Sequence, residues 1–209
     1  MFETVQPMEI ERRSFEIITH LLGERVLDPE NELVIKRVIH TTADFDYAES
    51  LVFTEHAVSR GIEALRKGCD IVTDTQMARS GINKRVLEML GGEVHCFMSD
   101  SDVAREAAER GVTRATVSME RAAALQKPCI FAIGNAPTAL VSLRELMDRG
   151  AVQPALVIGV PVGFVNVEAA KELIMETGVP YIVNVGRKGG SNIAAAICNA
   201  LIYSLVDRG

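Results

Sequence analysis

Apolar residues along this chain follow two rhythms, one suited to helices and one to buried strands. The first third keeps the helical rhythm. Ile10, Ser14, Ile17, Ile18, Leu21 and Leu22 recur at helical spacing between Pro7 and Gly23, which predicts a helix opened by proline and closed by glycine. A second helix is predicted from Pro29 and Glu30 through Leu33, Val34, Val38 and Ile39, and a third over 55–67, stopped by Gly68.

From Cys69 onward short apolar runs alternate with helical segments. The runs are 69–73, 94–98, 129–133, 156–160 and 181–185, and the helices between and after them are 83–90, 101–110, 116–126, 138–149, 167–177 and 191–206. Nearly continuous apolar runs suit strands covered on both faces, and strand–helix alternation predicts right-handed crossovers. The expected fold class is therefore α/β: a three-layer αβα sandwich with a mainly parallel five-stranded sheet and additional N-terminal helices. No linker or internal repeat divides the chain, so one domain is expected over 1–209. The last helix is apolar nearly all round, from Ile193 to Leu205. Such a helix is buried in the core or against another subunit.

Composition narrows the function classes. The 209 residues carry 22 Lys+Arg against 28 Asp+Glu, a net charge of −6, with 48% apolar and 24% charged residues. This is an ordinary globular balance rather than a disordered or collagen-like one. An acidic chain argues against nucleic acid or anionic membrane surfaces as partners, but leaves room for a small anionic substrate. No apolar stretch reaches the ~18–20 residues of a membrane span, and Met1-Phe2-Glu3-Thr4 lacks the start of a signal peptide. A cytoplasmic location is expected. Cys69, Cys96, Cys129 and Cys198 are widely spaced and read as small buried hydrophobes rather than metal ligands or disulfides.

In a parallel α/β sheet, ligands gather beyond the carboxyl ends of the strands. The segments placed there are 74–77, 99–100, 134–138, 159–164 and 186–191, which bring Thr75, Asn135, Arg187, Lys188 and Ser191 to one side. The last segment, GRKGGS, combines glycines, two cations and a helix start suited to an anion. A tight turn with two solvated cations has the same sequence. Neither G-x-x-x-x-G-K-[ST] nor G-x-G-x-x-G occurs, and the four histidines form no zinc-type pair, so no nucleotide, redox or metal cofactor is expected. That leaves acid–base chemistry. Leu33, Arg37, His40 and Asp44 share one face of the second helix. This face either meets water or lines a pocket in which Arg37 holds an anion and His40 exchanges a proton, a role suited to imidazole near neutral pH.

The block RVIHTTADFD (37–46) resembles the signature of the precorrin-8X / cobalt-precorrin-8 methylmutases of cobalamin biosynthesis. The likeness extends over nearly the whole chain. RSF (13–15) precedes it, and DTQMARSGI (74–82), GNAPTAL (134–140), GVPVGFV (159–165) and GRKGGSN (186–192) follow in family order. The resemblance implies an isomerase that moves a methyl group from C-11 to C-12 of a tetrapyrrole and consumes nothing. The product would be hydrogenobyrinate or, with cobalt, cobyrinate.

By the same resemblance, His40 supplies the proton to the ring-C region. Ser14 and Arg37 match substrate-contacting positions, and Arg114 matches another. The polycarboxylate substrate would draw Arg37, Arg114, Arg187, Lys188 and helix N-termini around one cavity. The family also implies a homodimer. Three positions depart from relatives: Ala115 and Ala170, where Ser is frequent, and Arg79, where an apolar residue is frequent. The main alternative is a non-catalytic tetrapyrrole-binding carrier of the same fold. A dinucleotide-dependent reductase is a third reading, against which the missing glycine fingerprint counts.

Overall fold

The computed structural model describes residues 7–206. Two helices come first, α1 (Pro7–Leu22) and α2 (Glu32–Thr42), followed by the short α3 (Tyr47–Ser50) and strand β1 (Leu51–Phe53). Then come α4 (Ala57–Arg66), β2 (Asp70–Thr73), α5 (Gln76–Gly81), α6 (Lys84–Met89) and β3 (Val94–His95). The remainder is α7 (Ser101–Arg110), α8 (Arg114–Ala123), β4 (Cys129–Ile133), α9 (Pro137–Asp148), β5 (Leu156–Gly159), α10 (Val167–Met175), β6 (Tyr181–Asn184) and α11 (Ser191–Tyr203).

The sheet has six strands among the described residues, in the order β1-β6-β5-β4-β2-β3. This corrects the expectation of five. The additional strand, β1, pairs antiparallel with β6, placing Val52 opposite Val183, while the other neighbours are parallel. β1 is three residues long and is entered directly from a single turn of helix, so its apolar run is too short to stand out as a strand. β3 is also shorter than expected. Only Val94 and His95 pair with β2, and the chain leaves the sheet before Phe97 and Met98.

Successive strand residues go to opposite faces, so the sheet separates two cores. On β4, Ile130 and Ala132 pack with residues of α2, α4, α5 and α11, whereas Cys129, Phe131 and Ile133 pack with α8, α9 and α10. This double covering is why the strands are apolar without alternation. The all-round apolar character of α11 has the same cause. Ile193, Ala194, Ile197, Ala200, Leu201 and Ile202 are all buried, with α11 lying against β4 and β5 and flanked by α2, α4 and α5. The helix is core. All four cysteines are buried. Burial pushes the Cys69 and Cys198 thiols up to about 12 and Cys129 to about 11, which leaves them protonated and unreactive at neutral pH. No described helix is long and apolar enough to cross a membrane.

Candidate active site

The carboxyl ends of β2, β4, β5 and β6 converge on one edge of the molecule, and buried polar groups lock their loops together. Asp74, directly after β2, is fully buried. Its carboxylate accepts from the backbone N–H of Gly134 (2.8 Å), Asn135 (2.8 Å) and Ala136 (2.6 Å) at the end of β4. Burial pushes this carboxyl upward, and the three donors pull against it. Gly134 must be glycine for want of space. A Cβ there would lie 2.8 Å from the Ser191 Cα and 2.9 Å from the Gly190 carbonyl oxygen, so the β4 loop and the start of α11 are in backbone contact.

Thr75 and Ser191 meet at that junction, hydroxyl to hydroxyl at 2.7 Å. Thr75 also caps α5 by accepting from the Ala78 N–H. Asn135 is exposed beside them. The loop after β6 is fixed from below. Lys171, on α10 and 1% exposed, donates to the carbonyls of Gly186 (2.7 Å) and Lys188 (2.9 Å). The buried Asn184 amide donates to the Lys188 and Val185 carbonyls and accepts from the Ser50 hydroxyl. The Gly190 N–H donates to the Val160 carbonyl, which joins this loop to the end of β5.

The two cations of GRKGGS part company. Arg187 pairs with Glu168 (3.1 Å) and lies over the exposed Phe164 ring. Lys188 reaches the opposite way, to Asp44 (2.6 Å) and Asp46 (2.7 Å). These carboxylates sit just beyond α2, which Ala43 ends in the left-handed conformation (φ 55°). His40 lies in the last turn of α2, is exposed, and has its ring 5.6 Å from that of Phe15 on α1. Lys188 thus ties the histidine helix to the loops at the strand ends.

Three candidates lie differently from the rest. Arg37 is mostly enclosed. It pairs with Glu11 of α1, and its guanidinium lies 4.8 Å from the Phe15 ring centre and 5.4 Å from that of Tyr203. Ser14 donates its hydroxyl to the Ile10 carbonyl one turn back. Arg114 is exposed at the first residue of α8, where Thr113 caps the helix. α8 packs along α9, with Thr116 bonded to Ser142.

Of the departing positions, Ala115 and Ala170 are buried in the second core. Arg79 donates to the Val94 carbonyl and so holds β3. Among the described residues no group of three His, Cys, Asp or Glu is placed to hold a metal ion. A hollow of about 520 Å³ bounded by Arg60, Lys67, Cys69 and Pro128 lies at the other end of the strands.

Comparison with known proteins decides what this arrangement belongs to. The family model described as Precorrin-8X methylmutase matches residues 9–204. The chain belongs to the precorrin-8X methylmutase family. It is 47% identical to the cobalt-precorrin-8 methylmutase of Priestia megaterium, over 99% of this chain and 91% of that protein. It is likewise 47% identical to the protein of that name from Salmonella typhimurium, over 96% of each. The crystal structure of the precorrin-8X methyl mutase from Thermus thermophilus superposes with a TM-score of 0.85 at 39% identity, covering 93% of this chain and 96% of that one. Methylmutases are isomerases, intramolecular transferases of cobalamin biosynthesis, and this chain is an enzyme of that class.

The sequence singled out His40, Thr75, Asn135, Lys188 and Ser191, and these line the strand ends or are tied to them. It did not single out Asp74, Lys171 and Asn184, which hold the loops at the strand ends. A charged or amide residue at the end of an apolar strand was the signal for Asp74 and Asn184; Lys171 gave none.

Proposed function

We propose that the protein converts precorrin-8X or cobalt-precorrin-8 to hydrogenobyrinate or cobyrinate by moving the C-11 methyl group to C-12. His40 gives a proton to the ring-C region of the bound macrocycle. Electron density is drawn from the migration terminus, the methyl group shifts intramolecularly, and the proton is returned. Nothing is consumed. The position of His40 carries this reading: an exposed imidazole on the last turn of α2, tied through Asp44 and Lys188 to the loops at the strand ends.

Holding the ring against one acid lowers the barrier through orientation, and general acid catalysis adds about 10²–10⁴-fold. Arg187, the exposed Arg114 and the N–H groups at the start of α11 meet substrate carboxylates. Thr75, Ser191 and Asn135 supply neutral hydrogen bonds. Arg37 and Ser14 reach substrate by exchanging their present partners, Glu11 and the Ile10 carbonyl. The exposed apolar residues Ile10, Ile17 and Leu21 on the outer face of α1 are covered by a second copy in a homodimer, and the whole of 1–209 acts as one domain.

Purified protein incubated with each form of the precursor is expected to develop the visible spectrum of the corrin product. A spectrum that stays that of the precursor, with the pigment bound, would establish the carrier reading instead. Sedimentation alongside activity across a dilution series tests the dimer, which a fully active monomer would contradict.

A further inference from the structure

Lys171 is the largest charged side chain buried in the described core, and the proton transfer from His40 does not involve it directly. Lysine is almost never fully buried unless it is paired, and a buried charge without a carboxylate at contact distance is costly. Here the ammonium meets two carbonyl oxygens, those of Gly186 and Lys188. Glu168, on the same helix, is the neighbouring carboxylate that acts on it electrostatically, and Glu168 is exposed and bound to Arg187. From α9, Arg144 turns instead to the Leu173 carbonyl and Asp148. Burial pulls the Lys171 ammonium down to about 8. An apolar side chain would fill this space without that desolvation. The distinctive property of the residue is therefore its grip on the loop.

We propose that Lys171 is a positioning residue for the methyl transfer: it fixes the Lys188 backbone so that the Lys188 side chain can clamp Asp44 and Asp46 and set the orientation of His40. The inference rests on His40 being the proton donor. The route consists of direct contacts as far as the last turns of α2, the helix that carries His40. Lys171 and Asn184 both donate to the Lys188 carbonyl, the Lys188 ammonium binds both aspartates, and the Asp44 N–H donates to the Thr42 hydroxyl. Thr42 in turn donates to the Val38 carbonyl within the last turns of α2. Gly186 (φ +81°) and Gly189 (φ +158°) give the loop backbone turns that other residues rarely adopt. Without Lys171 the Gly186 carbonyl loses its described side-chain donor and the Lys188 carbonyl keeps Asn184, while the loop's other ties run through the Gly163 N–H and the Val160 carbonyl.

The test uses Lys171→Met, Lys188→Met and the double variant, with steady-state turnover, product affinity and the His40 ring signal in NMR. Each single variant is expected to lower kcat about tenfold, the scale of a small misplacement of a catalytic group. In Lys171→Met product affinity should stay within about twofold, because this buried group orients rather than binds. The double variant should be no slower than either single one, since both act on one contact chain. The His40 signal should move in both single variants.

Multiplicative losses in the double variant would overturn the inference, as would a weakened product affinity at unchanged kcat. If Lys171→Met does not fold, the exposed Lys188→Met decides: wild-type kcat and an unmoved His40 signal refute the inference. A wild-type protein that does not isomerise the precursor would overturn the proposed function, and the NMR readout would still judge the positioning.

Discussion

The Lys188 ammonium stands 2.6 Å from the Asp44 carboxylate, joining the loop after the last strand to the turn that ends the His40 helix. The contact lies at the surface, yet both partners titrate away from their ordinary values. Hydrogen bonding to Lys188 holds the Asp44 carboxyl below the usual range, and hydrogen bonding to Asp44 and Asp46 raises the ammonium. A lowered carboxyl keeps its contribution above the ordinary carboxylate pKa and loses it as pH falls through the lowered value. The Asp44–Lys188 pair is therefore complete at neutral pH and on the acid side is lost only below the ordinary aspartate value of 3.8. Carbon NMR titration of Asp44 should show its pKa moving up in Lys188→Met. An unchanged titration would show that the two side chains do not meet in solution.

Replacing His40 with alanine should lower turnover about 10²–10⁴-fold and leave product binding close to wild type. The side chain is exposed and lies against the Phe15 ring, so the variant should melt near the wild-type temperature. Turnover at the wild-type rate would remove His40 from the chemistry.

Asp74→Asn should destabilise the protein by about 2–3 kcal/mol, the scale of hydrogen bonds to a charged group. An asparagine offers one acceptor oxygen where the carboxylate uses two, and turns an amide donor toward N–H groups of residues 134–136. Denaturant unfolding measures the change. A loss under about 0.5 kcal/mol, the level of ordinary surface substitutions, would show that the loop is held by something else.

Gly134→Ala pushes a methyl group into the backbone of Gly190 and Ser191. Neither neighbour has a flexible side-chain end that can give way, so about 1–3 kcal/mol of overpacking is expected. The loss should come with weaker substrate binding, since the start of α11 is displaced. Melting temperature and KM together check this prediction.

Lys171 makes stability depend on alkaline pH. Its ammonium is lowered from 10.5 to about 8, so between those values the unfolded chain binds more protons and stability rises with pH. At neutral pH the burden is about 3 kcal/mol, because each tenfold loss of proton affinity costs about 1.4 kcal/mol. The raised thiols act oppositely above pH 9, where the unfolded chain begins to lose their protons. The informative quantity is the difference between wild type and Lys171→Met, in which those thiols cancel. It should shift in favour of the wild type from pH 8 to 10.5, and a flat difference would contradict the lowered ammonium.

The parts of the fold legible in the sequence were those with enough length to show a period. β4 (Cys129–Ile133) and α7 (Ser101–Arg110) lie where the apolar pattern placed them, because a doubly covered strand and an amphipathic helix each leave a distinct rhythm. β1 did not show. Its three residues take their place from pairing with β6 across most of the chain length, which local pattern does not encode. α5 was hidden in the same way, its six residues beginning inside a segment that resembles a loop.

The site divides along similar lines. Glycines and cations made 186–191 conspicuous, and spacing put Arg37 and His40 on one helix face. Spacing did not reveal that Arg37 is engaged by Glu11, a contact between two helices. Lys171 looked like any solvent-facing lysine of an amphipathic helix, since burial of one charged residue among its neighbours leaves no mark on periodicity.

The sheet ends on one side with two paired residues, Val94 and His95, and on the other with three, Leu51 to Phe53. Outer rails this brief offer a stray chain few backbone groups to grip. In the folded molecule, therefore, neither rim of the sheet is a long template on which another copy could add its own strand.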